Sequence, residues 1–172
     1  MTEANYKKYC LDANFFIEAW NKYYSPDFCS DYWKVIAELG EKEIIFIPEI
    51  VKEEVINTDT LIKEWFQLNV IPVHMIDENV TSCLKLIYST NTNHQRLVDN
   101  TKGRSIADPW VIAHALNEKA IVVTKEEKIT NPASQRIKIP NVCDNMGVKW
   151  MNDFDFIREI GIRFSCGLKK EV

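Results

Sequence analysis

The stretch SIADPWVIAHALNEKAIVVTKEE, residues 105–127, contains a complete helix-to-strand unit. Apolar residues recur at three- and four-residue spacing over 109–118, which predicts a helix, and the β-branched run over 120–124 predicts a buried strand. Asp108 precedes the helix, and Glu126 follows the strand. A helix that leads into a buried, β-branched strand is typical of α/β proteins with a parallel sheet.

The same alternation extends over most of the chain. Apolar runs predict further strands at residues 9–11, 43–47, 70–73 and 148–151. Helical spacing predicts helices at residues 15–24, 30–39, 49–57, 59–68, 78–89 and 152–160, with a helical turn at 141–146. Strands that alternate with helices imply right-handed crossovers. We therefore predict a three-layer α/β/α sandwich around a central, mainly parallel sheet.

Composition indicates a globular protein of the size of one domain. The chain has 172 residues, of which 46% are hydrophobic and 27% charged, and we expect a single domain over residues 1–172. Its five cysteines are scattered without a C-x-x-C pair, which favours a reducing compartment over a disulfide framework or a zinc site. The N-terminal residues have no signal-peptide pattern, and no apolar run is long enough for a membrane span. We expect a cytoplasmic protein without a membrane partner.

The charge of the chain restricts how it could bind nucleic acid. The formal net charge is −4, whereas proteins that bind nucleic acid through bulk charge are basic. An acidic nuclease would need a bound cation to present positive charge to phosphate. The chain also has no H-E-x-x-H, G-x-S-x-G, Walker A or G-x-G-x-x-G motif, which argues against zinc peptidase, serine hydrolase, P-loop and dinucleotide-binding functions.

Several acidic residues are predicted to lie at the carboxyl edge of the sheet, where ligands of open α/β sheets bind. Asp12 ends the first strand, Glu53 and Glu54 lie on the helix after the second strand, and Asp108 and Glu126 flank the unit quoted above. Each also has a structural explanation. Asp12 and Asp108 could cap helices, with Pro109 at the first helical position, and the glutamates could be solvated surface charges. Only the joint pattern indicates a site.

That joint pattern resembles the PIN domain family. The matching segments are LDANFFIEAW (11–20), VKEEV (51–55), SIADPWVIAHAL (105–116) and AIVVTKEE (120–127), in the family's order. The C-terminal stretch is similar to a bacterial subgroup of PIN-like proteins rather than to the shorter VapC-type toxins. The resemblance implies a PIN-like fold and a metal-dependent endoribonuclease, with Mg²⁺ or Mn²⁺ as cofactor and RNA as substrate.

The resemblance also implies the metal ligands. Carried over to this chain, they are Asp12, Glu54, Asp108 and Glu126, and Glu54 is preferred to Glu53 because it precedes an aliphatic residue. The family commonly has an Asp two residues after Thr or Ser, whereas this chain has Glu126 after Thr124. Asp144 is therefore a rival for the fourth ligand. Small PIN proteins are often toxins of toxin-antitoxin pairs and often dimers, so an antitoxin protein and a homodimer are possible partners.

Other residues have weaker assignments. Thr124 and Ser105 could orient water or phosphate, and Lys102, Arg104 and Lys125 could contact the RNA backbone, although a solvated loop is the favoured alternative for these residues. Three tryptophans could stack on bases, but their helical spacing favours a place in the core: Trp33, Trp65 and Trp110.

Two other functions stay open on the sequence alone. The first is a catalytically inactive PIN-like module that binds RNA or protein, in which the acids serve as caps. The second is a metal-dependent phosphohydrolase of small molecules, which would need a closed pocket.

Overall fold

The computed structural model describes residues 7–98 and 105–168. Five strands of these residues form one sheet: β1 Tyr9–Leu11, β2 Ile45–Pro48, β3 Val73–His74, β4 Ile121–Val123 and β5 Trp150–Met151. The α-helices are α1 Ala13–Glu18, α2 Ser30–Glu41, α3 Glu49–Ile56, α4 Thr60–Leu68, α5 Glu78–Thr90, α6 Asp108–Glu118, α7 Ile139–Met146 and α8 Asp153–Ile160. A π-helical segment, Ala19–Tyr23, continues α1, and a 3₁₀ helix, Thr92–Leu97, follows α5.

All neighbouring strands of the sheet are parallel, in the order β3-β2-β1-β4-β5. Cys10 at the centre of β1 pairs with Phe46 of β2 on one side and with Val122 of β4 on the other. Every residue of β1, β2 and β4 is buried. Because alternate residues of a strand point to opposite faces, helices must cover both faces of the sheet. The predicted α/β architecture with a parallel sheet is confirmed.

The strand order places a topological switch point between β1 and β4. The chain proceeds from β1 outward to β2 and β3, and then returns to add β4 and β5 on the other side of β1. At such a point the connections leave in opposite directions, which opens a crevice at the carboxyl ends of the two strands. Asp12 directly follows β1, and Thr124 directly follows β4.

The elements follow the predicted order, with differences at their ends. The predicted strand 70–73 is observed at Val73–His74, and the predicted helix 15–24 begins at Ala13 and becomes π-helical. The 3₁₀ helix was not predicted because its polar sequence has no apolar period. Asp108 is the first residue of α6 and not its N-cap, so the capping explanation of Asp108 does not hold. No helix within the described ranges is long and apolar enough to cross a membrane.

Candidate active site

The proposed acidic residues meet at the switch point between β1 and β4. Asp12 directly follows β1, Glu126 lies in the turn after β4, and Asp108 is the first residue of α6. These three residues and Glu54 line one cleft of about 620 Å³. The other lining residues are Asn14, Ile50, Glu53, Asn57, Ser105, Ile106 and Ala107.

One face of α3 forms a wall of this cleft. Ile50, Glu53, Glu54 and Asn57 recur at i, i+3, i+4 and i+7, the spacing at which residues share one face of a helix. Val51 and Val55 are buried and attach the adjacent face of α3 to the core. The helix is therefore held by its valines, with both glutamates directed to the cleft.

The carboxylate of Asp12 is fixed by two hydrogen bonds. The backbone N–H of Ala13 donates to Oδ1 over 2.7 Å, which caps α1, and the Thr124 hydroxyl donates to Oδ2 over 2.9 Å. The Thr124 hydroxyl oxygen also accepts from the backbone N–H of Glu126, over 3.1 Å. Thr124 thereby connects the end of β1 to the turn that carries Glu126, and its hydroxyl orients the Asp12 side chain.

The electrostatics of Asp12 are those of a buried carboxyl near other acids. Asp12 is only 1% exposed, and this burial raises the pKa of its carboxyl, which the charges of Glu126 and Glu54 raise further. The two hydrogen bonds act in the opposite direction but are the smaller influence overall. The Asp12 carboxyl is therefore destabilised in its charged form.

Asp108 has the same character. Burial raises the pKa of its carboxyl, and the charges of Asp12 and Glu126 raise it further, while a hydrogen bond with Ser105 opposes the change. Ser105 has a φ of 60°, so the chain makes a left-handed turn immediately before α6. Glu54 keeps solvent-accessible surface, but the surrounding walls remove part of its hydration and raise its pKa. These interactions place the four acids in one electrostatic cluster.

The cleft provides the ligand types that a hard divalent cation prefers. Its described lining contains five carboxylates and several amide and hydroxyl oxygens, but no Lys or Arg. Carboxylate oxygens are the usual protein ligands of Mg²⁺ and Mn²⁺. Within residues 7–98 and 105–168, no three His, Cys, Asp or Glu side chains are already arranged around a common ion position. The cleft thus fits such a cation by chemistry and charge, and ligation would require rotation of side chains such as the long Glu54 and Glu126.

Comparison with known proteins identifies the family of this chain. Residues 9–164 match the family described as a domain of unknown function, DUF4411. The chain belongs to the DUF4411 family. No curated protein matches the sequence.

Two solved structures are similar to this DUF4411 domain. The structure of VapBC2 from Rickettsia felis, bound to a DNA fragment from its promoter, matches with a TM-score of 0.52 at 17% identity. The match covers 84% of the present chain and 97% of the matched chain of that structure. FitAcB from Neisseria gonorrhoeae has a TM-score of 0.47 at 16% identity and covers 85% and 98%. The likeness to VapBC2 concerns the fold alone. Together with the helix-covered parallel sheet, it is consistent with the predicted PIN-like fold.

The structure does not bring Asp144 to the cleft of the DUF4411 domain. Asp144 lies on α7, where its Oδ1 accepts from the Trp150 indole N–H over 2.8 Å and its Oδ2 pairs with the Lys128 ammonium at 2.5 Å. These partners lower the pKa of the Asp144 carboxyl, opposite to the cleft acids. Glu126 lines the cleft, and its Oε2 accepts from the Ile139 backbone N–H over 2.9 Å.

The residues expected to contact RNA have different surroundings. Lys125 is not on a solvated loop, because its ammonium pairs with buried Asp153 at 2.5 Å and lies 4.1 Å from the centre of the Tyr23 ring. Lys102 and Arg104 lie outside the described residues. Trp33 is buried in the core, as predicted, and Trp65 and Trp110 are half-buried and pack against it.

Three features of the structure were not among the predicted site residues and contacts. Asn14 and Asn57 line the cleft, and Asn57 could have been found because it lies one helical turn after Glu54. No sequence pattern could have predicted the Lys125–Asp153 pair, since the two residues are 28 positions apart and meet only because of the fold.

Proposed function

We propose that this protein is a divalent-metal-dependent endoribonuclease that hydrolyses RNA phosphodiester bonds. Asp12, Glu54, Asp108 and Glu126 would hold Mg²⁺ or Mn²⁺, with Glu126 rather than Asp144 as the fourth ligand. The observation that carries the proposal is the convergence of these acids on one cleft whose described lining has no basic side chain. When bound, the cation would supply the positive charge that lets phosphate approach the acids, stabilise charge on the phosphate and acidify water.

The four proposed ligands differ in burial, and this difference predicts different roles for the aspartates and the glutamates. Asp12 and Asp108 are 1% and 8% exposed, and the Ala13 and Thr124 hydrogen bonds set the orientation of Asp12. Both carboxyls have raised pKa values, so they would release protons when a cation binds. Glu54 and Glu126 are less buried and have longer side chains, which allows them to adjust to the cation and the substrate. Asn14, Asn57 and Ser105 provide neutral hydrogen-bonding groups beside them.

The shape of the site favours a polymer over a small molecule. The cleft shares Ser105, Asp108 and Glu126 with a neighbouring groove of about 660 Å³. A closed pocket would suit a nucleotide, whereas two connected grooves let a strand enter and leave. RNA and a nucleoside monophosphate should therefore be compared as substrates, and hydrolysis of the monophosphate alone would contradict the proposal.

The first test is metal-dependent thermal stability. We expect Mg²⁺ or Mn²⁺ to raise the melting temperature of the wild-type chain, since a ligand that binds only the folded state stabilises it by about 2.7 kcal/mol at a hundredfold excess over its Kd. Asp12→Asn/Asp108→Asn should abolish this rise. Asp144→Asn is the matched control, and it should keep the rise because Asp144 lies outside the cleft. Equal changes in the melting temperature of the wild type and the double variant at millimolar metal would contradict the proposed metal site.

The second test is RNA cleavage by the same proteins. We expect Asp12→Asn to lower cleavage by more than about 100-fold, since even indirect partners of a metal contribute 10- to 100-fold. Glu126→Gln should lower it more than Asp144→Asn does. The reverse order would assign the fourth ligand to Asp144.

One observation favours a second candidate function, an inactive module that binds RNA or protein. The Glu126 carboxylate already accepts the Ile139 backbone N–H, which is a structural use of the fourth acid. This function predicts no metal-dependent rise in melting temperature and no RNA cleavage, with binding of RNA or protein retained. The two tests above therefore separate the two functions.

We extend the proposal to the biology of the PIN resemblance, in which the nuclease is the toxin of a bacterial toxin-antitoxin pair. The partner would be an antitoxin protein that restrains cleavage, and the protein could act as a homodimer. Exposed apolar side chains offer surface for such contacts, among them Leu61, Leu68, Val70 and Met75. The cytoplasmic location expected from the cysteines stays a prediction.

A further inference from the structure

A second groove adjoins the carboxylate cleft and, unlike the cleft, contains basic side chains. It shares Ser105, Asp108 and Glu126 with the cleft, and its outer wall carries three basic residues: Arg96, Arg136 and Lys138. The α3 wall, on the other side of the shared residues, contributes Glu53 and Glu54 to the cleft. Charge therefore changes sign across the site, from acidic at α3 to basic beyond Glu126.

Two separate elements supply the basic residues. Arg96 belongs to the 3₁₀ helix that follows α5. Arg136 and Lys138 belong to the segment 129–138, which we call the basic loop and which lies between β4 and α7. The groove is thus formed between parts of the chain that are distant in sequence.

The basic loop is tied to the fold at both ends. Asn141 accepts from the Ile129 backbone N–H over 3.1 Å and donates to the Ile129 carbonyl oxygen over 2.9 Å. At the other end, the Ile139 N–H donates to Glu126 Oε2 over 2.9 Å. Inside the loop, Ser134 Oγ accepts from the Arg136 N–H over 3.1 Å. The loop is therefore anchored next to a proposed metal ligand.

The three basic side chains are placed to meet an external anion. Arg96 and Arg136 are exposed, and Lys138 is half-buried. Within residues 7–98 and 105–168, no carboxylate lies within 4.0 Å of these three cations. The nearby Lys125 and Lys128 differ, since they pair with Asp153 and Asp144.

Resting on the proposed function, we propose that the groove between Arg96 and the basic loop binds the sugar-phosphate backbone of the RNA substrate on one side of the scissile bond only. Several consecutive phosphates on that side would lie along Arg96, Arg136 and Lys138. On the opposite side the backbone would meet Glu53, which lines the cleft but is not among the proposed metal ligands, and its charge would repel the backbone. The enzyme would then require a charged RNA segment on one side of the cut and little on the other.

An acidic peptide of a protein partner could also pair with these cations. The observations favour RNA because the groove opens directly onto Asp108 and Glu126 through shared lining. A backbone held by the cations is thereby guided to the position where hydrolysis is proposed. A peptide would have no reason to continue into the acidic cleft.

The experiment measures RNA binding and cutting by the full chain with two charge-matched variants. The groove variant is Arg96→Ala/Arg136→Ala/Lys138→Ala. The control is Lys34→Ala/Lys42→Ala/Lys63→Ala, which gives the same net charge. It removes three exposed cations remote in sequence from the groove: Lys34 on α2, Lys42 directly after α2, and Lys63 on α4. Fluorescence anisotropy with a labelled 12-nucleotide single-stranded RNA in Ca²⁺ gives the affinity at several salt concentrations. Mn²⁺ with end-labelled RNA gives the positions of the cuts.

We expect the groove variant to bind RNA at least tenfold more weakly at about 100 mM salt than the control. The plot of log affinity against log salt should be less steep for the groove variant, by about 2 in the magnitude of its slope, since three phosphate contacts on a single strand contribute about 0.7 each. Wild-type cuts should be absent near one end of the RNA, where no phosphates would remain for the groove. The groove variant should lose this asymmetry, and the control should keep it.

The results separate this inference from the proposed function. If RNA is cut but the groove variant matches the control in slope and cut positions, the inference is wrong and the nuclease stands. If the groove variant loses RNA binding and no protein cuts RNA, binding of RNA by the groove stands, but the nuclease and the placement of the groove beside a scissile bond are both overturned. Absence of both binding and cutting overturns both. Stronger binding of a glutamate 12-mer than of RNA, lost in the groove variant, would assign the groove to an acidic peptide and overturn the inference.

Discussion

Asp12 and Asp108 show how one buried carboxyl pair makes stability depend on pH. Burial and neighbouring acids raise the pKa of both groups above the unfolded value of about 4. From that pH upward, the unfolded chain has released protons that the folded protein still holds. The metal-free protein should therefore lose stability as the pH rises from about 4 through the raised folded-state values.

The first residue-scale prediction follows from that sign. We expect the free energy of unfolding of the metal-free wild type, measured with urea, to be lower at pH 8 than at pH 5 by on the order of 2 kcal/mol. Asp108→Asn should flatten this slope and raise stability at pH 8. Asp31→Asn, at a position on α2 where the side chain is 90% exposed, should keep the wild-type slope. A slope unchanged by Asp108→Asn would show that the carboxyl is not destabilised by its site.

The buried Lys125–Asp153 pair gives a second residue-scale prediction. The side chains are 9% and 4% exposed, so removal of one partner leaves a buried charge without compensation. We expect Asp153→Ala to cost about 3–5 kcal/mol of unfolding free energy and Lys125→Met/Asp153→Leu to cost much less. Urea denaturation of the single and double variants measures the coupling, and additive costs would contradict it.

At the scale of the element, Gly40 determines how α2 packs. A Cβ at this position would collide with the Val70 carbonyl oxygen and with Ile71, in the segment that leads into β3. We expect Gly40→Ala to destabilise the protein by about 1–3 kcal/mol, because backbone cannot move aside as a side-chain end can. Gly167→Ala is the control, since nothing lies within 4 Å of a Cβ there. A thermal melt of each variant makes the comparison, and equal melting temperatures would contradict the close approach.

The α3 helix shows how an element determines which acids reach the site. Its valines at positions 51 and 55 face the core, and this rotation sets Glu53, Glu54 and Asn57 along the cleft. A helix presents a whole stripe and not a single residue. The cleft therefore contains more acids than the four that the PIN resemblance predicts.

At the scale of the whole molecule, the strand order creates the site and gives the biological prediction. If the converged acids make an RNase toxin, induced expression of the wild-type chain in bacteria should arrest growth, and Asp12→Asn should relieve the arrest. Asp31→Asn should arrest growth like the wild type. Protein levels of all three must be equal. Growth that is unaffected by the wild type, at those levels, would remove the toxin role and leave the nuclease to the biochemical tests.

The sequence by itself determined the order of strands and helices, the parallel sheet and the positions of Asp12, Asp108 and Glu126 at its carboxyl edge. These features depend on local periodicity and on short-range preferences, both of which can be recognised in a short window of neighbouring residues. The ends of elements differ from the prediction, as β3 and the π-helical end of α1 show.

Only the tertiary structure decided which side chains meet. It placed Asp144 beside Lys128 and Trp150, buried Lys125 against Asp153, joined Thr124 to Asp12, and set Arg96 opposite the basic loop. The sequence could not give these pairings, because each joins elements whose separation in space depends on strand order and on the packing of helices against the sheet. Charge and pKa follow from that proximity, so the chemistry of the site is a property of the fold as well as of its residues.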